Sequence, residues 1–409
     1  MAELTFFAPD TDAFVDSVVK HIREYEELSG DTVHLRIIGS DEYFSNQIQG
    51  YLAEEGGADV YMSGPVLLWE HVNKDFVEPL DSYIEKDGDS FDFSDFIPNL
   101  IRANRWTGRF GDPLGEGPLL SIPVNCESYN MAYNKEIFEK YDLPLPKTWD
   151  EYFKTAKFIA EHAEDARGFA QRGTGSWHTV YTGFATQYWS MGGMDFDSEG
   201  HCAIASDKAV AATEQFLLAL KDSGPTEWKT QRWYELALDF CAGKYGLIVD
   251  SDHYVGYYEN PEKSSMVGKI GYALPPAGED GKAVPNLWTW SLVMNSRSKK
   301  KEAAWRFIKW ASGKEFLLRS AFEGNMNPTR TSVWEAESFK EFSTPWGDFC
   351  KVSRRLAEQD GKVLVTPSEN YRLIAERWVQ ALMEAYDSGE VKEALEKAAE
   401  EIEKMIPEP

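Results

Sequence analysis

The first sixty residues alternate short apolar runs with amphipathic stretches, and this order constrains the fold more than any other feature of the sequence. Apolar runs of strand length cover 4–8, 32–38 and 58–62, and helical patterns cover 12–28 and 42–54. A β-α-β-α-β order with short connections is typical of a doubly wound, largely parallel sheet with flanking helices. We therefore predict an α/β fold.

In sheets of this kind, ligands bind beyond the carboxyl ends of the strands. The loops at those ends are 9–12, 39–43 and 63–65, and they are rich in small and polar residues. Such side chains suit a polar ligand. The first ligand-binding candidates are Asp10, Ser40, Glu42, Tyr43 and Ser63.

Length and charge limit the classes of function. A chain of 409 residues is too long for one compact core, so we expect two lobes. The sequence has 42 Lys and Arg against 68 Asp and Glu, a net charge of −26. This charge argues against nucleic acid as a partner and disfavours an anionic membrane surface. No apolar run reaches the roughly 18–20 residues that span a bilayer.

The cysteines and acidic loops predict neither a metal nor a cofactor. Cys126, Cys202, Cys241 and Cys350 are scattered without a CxxC pair, and we expect buried free thiols. The acidic stretch 87–95 lacks the spacing of an EF-hand.

The N-terminus runs straight into the first apolar run without the features of a signal peptide. The residues alone leave open a cytosolic protein or an exported one without its leader.

Four motif-bearing segments follow one another along nearly the whole chain. The most specific is YNKEIFEK at 133–140, shortly after Ile122-Pro123 and followed by PKTWDE at 146–151. The others are DVYM at 59–62 with FVEPLDSYI at 76–84, FCAGKYGL at 240–247, and WSLVM at 290–294 with KKEAAWRFI at 300–308 and then 324–330. Together they resemble the extracellular solute-binding proteins of ABC importers, in particular the sugar-binding family of maltose-binding-protein-like proteins.

The resemblance implies a type II periplasmic-binding-protein fold with extra C-terminal helices and a ligand cleft that closes by a hinge motion. We expect an N-terminal lobe of 1–122 plus 272–314 and a C-terminal lobe of 123–271 plus 315–409, each a doubly wound, mostly parallel sheet. The resemblance also implies that the protein transfers a carbohydrate to the permease subunits of an ABC importer. We expect a monomer, periplasmic or tethered outside the membrane.

Sugars present flat apolar faces ringed by hydroxyls, so their sites combine aromatic planes with planar polar groups. The sequence has 14 tryptophans. Those in helix-like segments, such as Trp149, Trp305, Trp310 and Trp378, are interpreted as packing residues. Those in loops or at strand ends, among polar neighbours, are candidates for ligand stacking, together with an adjacent histidine: Trp177, His178, Trp233, Trp288 and Trp290.

Polar candidates lie near the first predicted crossing between lobes and after a later strand. Asn125 and Glu127 flank the crossing, where the family contacts ligand. A second group follows the strand that ends near residue 249 and consists of Asp250, Asp252 and His253. Arg330 occupies the end of the last family motif, where it either contacts ligand or forms an ion pair across the lobe.

Other functions stay open as alternatives. The same fold carries iron, polyamines and polyols, and Tyr257-Tyr258 could suggest an iron site. An enzyme is a more remote alternative, because no GxSxG, HExxH, P-loop or dinucleotide fingerprint is present. We therefore predict a binding protein for a neutral oligosaccharide or sugar, without catalytic activity.

Overall fold

The computed structural model describes residues 1–10, 12–44, 48–54 and 57–407. The strands are β1 Glu3–Pro9, β2 Thr32–Ile38, β3 Val60–Ser63, β4 Ile122–Asn134, β5 Arg167–Ala170, β6 Tyr245–Ser251, β7 Ile270–Ala273 and β8 Leu287–Met294. The helices are α1 Ala13–Ser29, α2 Ser40–Phe44, α3 Ile48–Ala53, α4 Pro65–Val72, α5 Asp81–Asp87, α6 Pro98–Ala103, α7 Lys135–Lys140, α8 Trp149–His162, α9 His178–Tyr181, α10 Gly183–Ser190, α11 Asp207–Ser223, α12 Trp233–Cys241, α13 Val255–Tyr258, α14 Lys301–Ala311, α15 Lys314–Phe322, α16 Thr331–Glu335, α17 Glu337–Ser343, α18 Phe349–Arg355, α19 Tyr371–Ser388 and α20 Val391–Ile402.

The predicted β-α-β-α-β order is confirmed at the N-terminus. Helix α1 begins after Asp12, whose carboxylate accepts hydrogen bonds from the backbone N–H groups of Phe14 and Val15 at 2.9 and 3.2 Å. It ends at Gly30, whose φ of 72° is the left-handed conformation that glycine adopts without strain. The predicted helix over 42–54 corresponds to α2 and α3, while residues 45–47 and Thr11 lie outside the described residues.

The strands follow the order β2-β1-β3-β8-β4-β6-β5, with β7 also paired to β4. Strands β1, β2 and β3 pair in parallel, as do β5 and β6. Strand β8 runs antiparallel to β3 and β4, and β4 runs antiparallel to β6 and β7. Every residue of β6 and β8 is buried, which is typical of central strands covered on both faces.

Strand β4 joins the two halves of the molecule because it changes partners along its length. Residues Ile122 to Ser128 pair with β8, and Tyr129 to Asn134 pair with β6 and β7. We call the half built around β1–β3 and β8 the first lobe, and the half built around β5–β7 the second lobe. One continuous strand therefore connects the two sides of any cleft between them.

The predicted lobe boundaries stay a prediction. Helix α15 packs on α1 of the first lobe, where the rings of Phe316 and Phe14 lie 5.8 Å apart, edge to face. The C-terminal helices α19 and α20 pack on each other, and α20 buries one apolar face as its sequence pattern predicts.

All four cysteines carry free thiols, and Cys126 and Cys241 are buried. Among the described residues, no helix has the length and apolar character needed to cross a bilayer.

Candidate functional site

A cavity of about 100 Å³ lies where the two lobes meet at the carboxyl ends of β1 and β6 and along one face of β4 and β8. A site for one water molecule takes roughly 10–15 Å³, so the cavity has room for about seven to ten water-sized groups. Its aromatic lining consists of Phe44, Tyr129, Trp177, Tyr181, Trp233, Tyr254, Tyr257, Trp288 and Trp290. Its polar and ionisable lining consists of Asp10, Asp12, Ser40, Glu127, Arg172, His178, Thr182, Ser251 and His253.

Tryptophans from both lobes form one wall of the cavity. The ring of Trp288 stacks near that of Trp177, with centroids 5.8 Å apart and planes at 26°, and meets Trp290 edge to face at 5.4 Å. A Cβ atom on Gly64 would lie 1.8 Å from Cζ2 of Trp288. The absence of a side chain at Gly64 therefore lets the Trp288 ring occupy its position.

The opposite side of the cavity carries a second aromatic group. Trp233, at the start of α12, lies nearly parallel to Tyr254 with centroids 6.5 Å apart and planes at 10°. Tyr257 meets Trp233 edge to face at 6.1 Å. Aromatic faces on two sides suit a ligand that has an apolar C–H surface.

Acidic side chains line the cavity at the start of α1. Burial raises the pKa of Asp12, although His253 acts in the opposite direction. The Asp12 carboxylate already caps α1, so only part of its accepting capacity faces the cavity. Asp10 accepts hydrogen bonds at 2.8 Å from both the backbone N–H and the hydroxyl of Ser40, which fixes the loop after β2.

A buried ion pair supports the second-lobe side. Arg172 donates to both carboxylate oxygens of Asp250, at 2.9 and 2.6 Å, and its guanidinium lies 5.4 Å from the ring centre of Tyr254. Burial alone would lower the pKa of Arg172. The neighbouring carboxylate of Asp250 outweighs this effect and raises the pKa of Arg172 well above its ordinary value. Arg172 is therefore a permanent donor whose charge Asp250 already balances.

Two further side chains are oriented by hydrogen bonds. The indole N–H of Trp290 donates to Glu127 at 3.1 Å, and this hydrogen bond fixes the orientation of the Trp290 ring. The Nδ1 atom of His178 lies 2.9 Å from the hydroxyl of Ser176. Burial lowers the pKa of His178 to about 3, and Arg172 contributes in the same direction, so this imidazole is neutral at ordinary pH.

Five buried polar atoms on lining residues have no hydrogen-bond partner among the residues that the structure describes. They are Nε1 of Trp177, Nε1 of Trp288, Oγ1 of Thr182, Nδ1 of His253 and the hydroxyl of Tyr254. Buried polar groups in native proteins are nearly always paired, so a ligand with several hydroxyls would find donors and acceptors in these five atoms.

More than half of the sequence-based candidates come together around the cavity. These are Asp10, Ser40, Glu127, Trp177, His178, Trp233, His253, Trp288 and Trp290. Their role in ligand binding stays a prediction.

Other candidates lie next to the cavity without lining it. Tyr43 is buried, and its hydroxyl donates to the carbonyl of Met62, while Glu42 accepts from the hydroxyl of Tyr51 at 3.3 Å. Ser63 is buried and donates to the carbonyl of Gly64 at 3.4 Å. These first-lobe residues therefore support the loops rather than the cavity surface.

Three further candidates are buried in or beside β4 and β6. Asp250 supports Arg172, as described above. Asp252 accepts from the backbone N–H of Ser128 at 2.8 Å, on the side of the strand away from the cavity lining. Both side-chain amide atoms of Asn125 are buried without a partner among the described residues.

Arg330 lies away from the cavity. Its guanidinium is 3.9 Å from the ring centre of Phe96 and donates to the carbonyls of Ser312 and Asp92, both at 2.8 Å. It also lies 3.4 Å from Asp95. Of the two roles considered for Arg330, the structure shows the ion pair.

Several lining residues were not among the sequence-based candidates, notably Asp12, Tyr129, Arg172, Tyr181 and Tyr254. Tyr129 could have been found, because side chains two apart on a strand share a face and Glu127 was a candidate. Asp12 lies in the polar loop 9–12 that follows the first strand, and Arg172 lies five residues before the candidate Trp177. Tyr254 follows His253 directly, in the turn after β6.

The two neighbouring tyrosines that suggested an iron site do not both line the cavity. Within the described ranges, no three His, Cys, Asp or Glu side chains come together in an arrangement that could hold a metal ion. Of the two neighbouring tyrosines, Tyr257 lines the cavity and Tyr258 is buried elsewhere with its ring against Phe240.

Comparison with known proteins gives consistent matches. The family described as bacterial extracellular solute-binding protein matches residues 8–316. The erythritol/L-threitol-binding protein of Mycolicibacterium smegmatis is 30% identical over 387 residues, which cover 92% of this chain and 80% of that protein.

Solved structures match the whole fold. A solute-binding protein of an ABC transporter from Agrobacterium radiobacter K84, in complex with ribitol, has a TM-score of 0.87 at 20% identity and covers 99% of this chain and 98% of its own. A maltose-bound protein of T. maritima has a TM-score of 0.83 at 22% identity, with 99% and 100% covered. These likenesses show the two-lobed type II binding fold.

Proposed function

Because this chain belongs to the bacterial extracellular solute-binding proteins, we propose that its cavity binds one small, uncharged polyol or monosaccharide for import. Proteins of this family bind a solute and deliver it to the membrane components of an ABC transporter, and they are not enzymes. The remaining question is therefore which solute the cavity accepts.

The observation that carries the proposal is the set of unpartnered buried polar atoms on aromatic lining residues and their neighbours. Indole N–H groups donate only, whereas hydroxyls both donate and accept, so hydroxyl groups of a ligand can pair with all five atoms. The stacked rings of Trp177 and Trp288 offer an apolar surface for C–H groups. A polyhydroxylated carbon chain supplies both kinds of surface.

The volume favours a short ligand. Room for about seven to ten water-sized groups matches the roughly 8 to 10 non-hydrogen atoms of a four- or five-carbon polyol or sugar, and it is far less than a disaccharide needs. The related protein of Mycolicibacterium smegmatis is an erythritol/L-threitol-binding protein, and the similar structure from Agrobacterium radiobacter contains ribitol. We therefore place a polyol ahead of the oligosaccharide expected from the family resemblance.

The charges favour an uncharged ligand. Arg172 lines the cavity, and its positive charge is already balanced by the carboxylate of Asp250. An anionic phosphorylated polyol would therefore meet the acidic side chains of Asp10, Asp12 and Glu127 without a free countercharge. A polyamine is the second candidate, since acidic and aromatic groups together suit a cation. Against it, Asp12 already accepts two backbone N–H bonds.

We further infer that the protein acts outside the cytoplasmic membrane as a monomer, free or tethered by a lipid. The family is extracellular, which supports this location. Fractionation of cells that make the full precursor, followed by size-exclusion chromatography, tests both statements; a cytosolic protein or a stable dimer contradicts them.

The test is a titration of protein from which bound solutes have been removed by unfolding and refolding. Calorimetry and thermal unfolding should show binding of erythritol, L-threitol or ribitol, with ligand at 100 times Kd adding about 2.7 kcal/mol of stability. Maltose, glycerol 3-phosphate and spermidine serve as the longer, anionic and cationic comparisons. If no polyol or monosaccharide binds, or if spermidine binds most tightly, the proposal is wrong.

A further inference from the structure

A second depression adjoins the cavity. It is an open groove of about 710 Å³ that shares seven lining residues with the cavity: Asp10, Ser40, Phe44, Arg172, Trp177, His178 and Trp233. From there the groove extends past Tyr234 at the start of α12. The shared residues are therefore the partition between the small cavity and a much larger space.

The narrowest part of this partition is an aromatic contact between the lobes. The ring of Phe44, at the end of α2, meets the imidazole of His178 edge to face with centroids 4.6 Å apart. This separation is at the short end of direct ring contact, so no ligand atom fits between the two rings. His178 is in turn stacked on Trp177 at 3.6 Å.

We propose that the Phe44–His178 pair determines the maximum length of the ligand by closing the cavity against the groove. The inference rests on the proposed function, because it names the two side chains that restrict the polyol site to short chains. Phe44 comes from the first lobe and His178 from the second, so the end wall is complete only when both lobes are in contact.

The chemistry of both rings suits a passive wall. The imidazole of His178 is neutral and held by Ser176, so the wall offers a ligand an apolar edge and no countercharge. Beyond it, the groove offers the ring of Trp233, the half-exposed ring of Tyr234 and the amide of Gln231. These are the groups that a longer polyol or a second sugar unit would use.

Replacing either ring with a methyl group should join the cavity to the groove. In Phe44→Ala and in His178→Ala, we expect the ratio of the Kd for mannitol or maltitol to the Kd for erythritol to fall at least tenfold relative to the wild type. His178→Ala approaches the wall from the opposite lobe, so it tests the same point if Phe44→Ala does not fold. Calorimetric titration of all three ligands gives the ratios.

Two controls separate wall removal from general damage. His178→Phe restores a ring at the wall and should reverse most of the change in the ratios that His178→Ala produces. Phe342→Ala alters an exposed ring on α17, outside the cavity and the groove, and should keep the wild-type ratios. The inference is wrong if the alanine variants lose affinity for all ligands in equal proportion or if the ratios do not change. A wild-type protein that binds no polyol or monosaccharide overturns the proposed function and this inference with it.

Discussion

A buried polar atom without a hydrogen-bond partner destabilises the folded protein, and a ligand that pairs with the atom removes this unfavourable free energy. Burying a hydroxyl without a partner is unfavourable by about 1–3 kcal/mol, whereas a paired hydroxyl contributes about 1 kcal/mol of net stability. The Oγ1 atom of Thr182 is buried without a partner among the described residues, on a residue that lines the cavity. A residue kept for binding should therefore behave differently from one kept for folding.

We predict that Thr182→Val weakens polyol binding about fivefold and leaves the ligand-free protein as stable as the wild type or more stable. Valine has the shape of threonine, so the variant removes one hydrogen bond to the ligand and little else. Denaturant unfolding without ligand and calorimetry with ligand measure the two effects.

Thr213 provides the matched control, because its buried hydroxyl donates to the carbonyl of Ala209 at 2.8 Å within α11. Thr213→Val should lower stability slightly and leave the Kd unchanged. If Thr182→Val instead lowers stability and leaves binding intact, the hydroxyl has a structural role.

Among the strands and helices, β4 has a special position because it pairs with strands of both lobes. Ser128 pairs with β8, and the next residue, Tyr129, pairs with β6, so the strand passes between the lobes at this point. Asp252, in the turn after β6, accepts from the backbone N–H of Ser128 and from the side-chain amide of Asn327. One carboxyl therefore ties β4, β6 and the segment before α16 together.

This carboxyl should make stability depend on pH. Burial raises the pKa of Asp252 to about 7, with Glu127 adding to the shift, whereas an unfolded aspartate has a pKa of about 3.9. Between these values the folded protein binds more protons than the unfolded chain. The contribution of Asp252 to the free energy of unfolding is thus complete below about pH 4 and is lost as pH rises to about 7.

We predict that Asp252→Asn removes this dependence, because an amide resembles the protonated carboxyl. Relative to the wild type, the variant should gain on the order of 2 kcal/mol in the free energy of unfolding between pH 5 and pH 8. Denaturant unfolding at both pH values provides the measurement. Asp280→Asn, in an exposed loop, should follow the wild type; equal pH profiles for Asp252→Asn and wild type would contradict the assignment.

At the scale of the whole molecule, the cavity exists only because the lobes approach each other. On the first-lobe side, the residues that form it come from the loops after β1 and β2 and from β4 and β8. On the second-lobe side, they come from the segment after β5, the start of α12 and the turn after β6. Contacts such as Phe44 with His178 and with Trp177 cross from one lobe to the other. Without a ligand, the unpartnered polar atoms favour exposure to water, which requires the lobes to separate.

We predict that ligand-free protein is more extended in solution than ligand-bound protein. Small-angle scattering should give a radius of gyration that falls on ligand addition toward the value of about 22 Å expected for a compact chain of 409 residues. A solute that does not bind in the titration is the control. Identical scattering profiles with and without ligand would show that the lobes do not move.

Local sequence patterns were sufficient for the elements of the fold and for part of the site. The apolar alternation predicted β1–β3 and α1, because strand and helix periodicity are local properties. Trp288 and Trp290 were ligand-stacking candidates because they lie among polar residues at a predicted strand end, and both line the cavity from β8. The order of the motifs indicated the family for the same reason: each motif is continuous in the chain.

Only the tertiary structure decided which residues face one another. Arg172 and Asp250 are 78 residues apart, and their pairing depends on the contact of the segment after β5 with β6. The same holds for the cavity volume and for its end wall, because Phe44 and His178 meet only when the lobes approach. Arg330, for which its motif left open a ligand contact or an ion pair, pairs with Asp95, 235 residues earlier in the chain. Residue types and local spacing therefore indicated the family and a set of candidate residues, whereas long-range packing decided which of those residues enclose the cavity and how large it is.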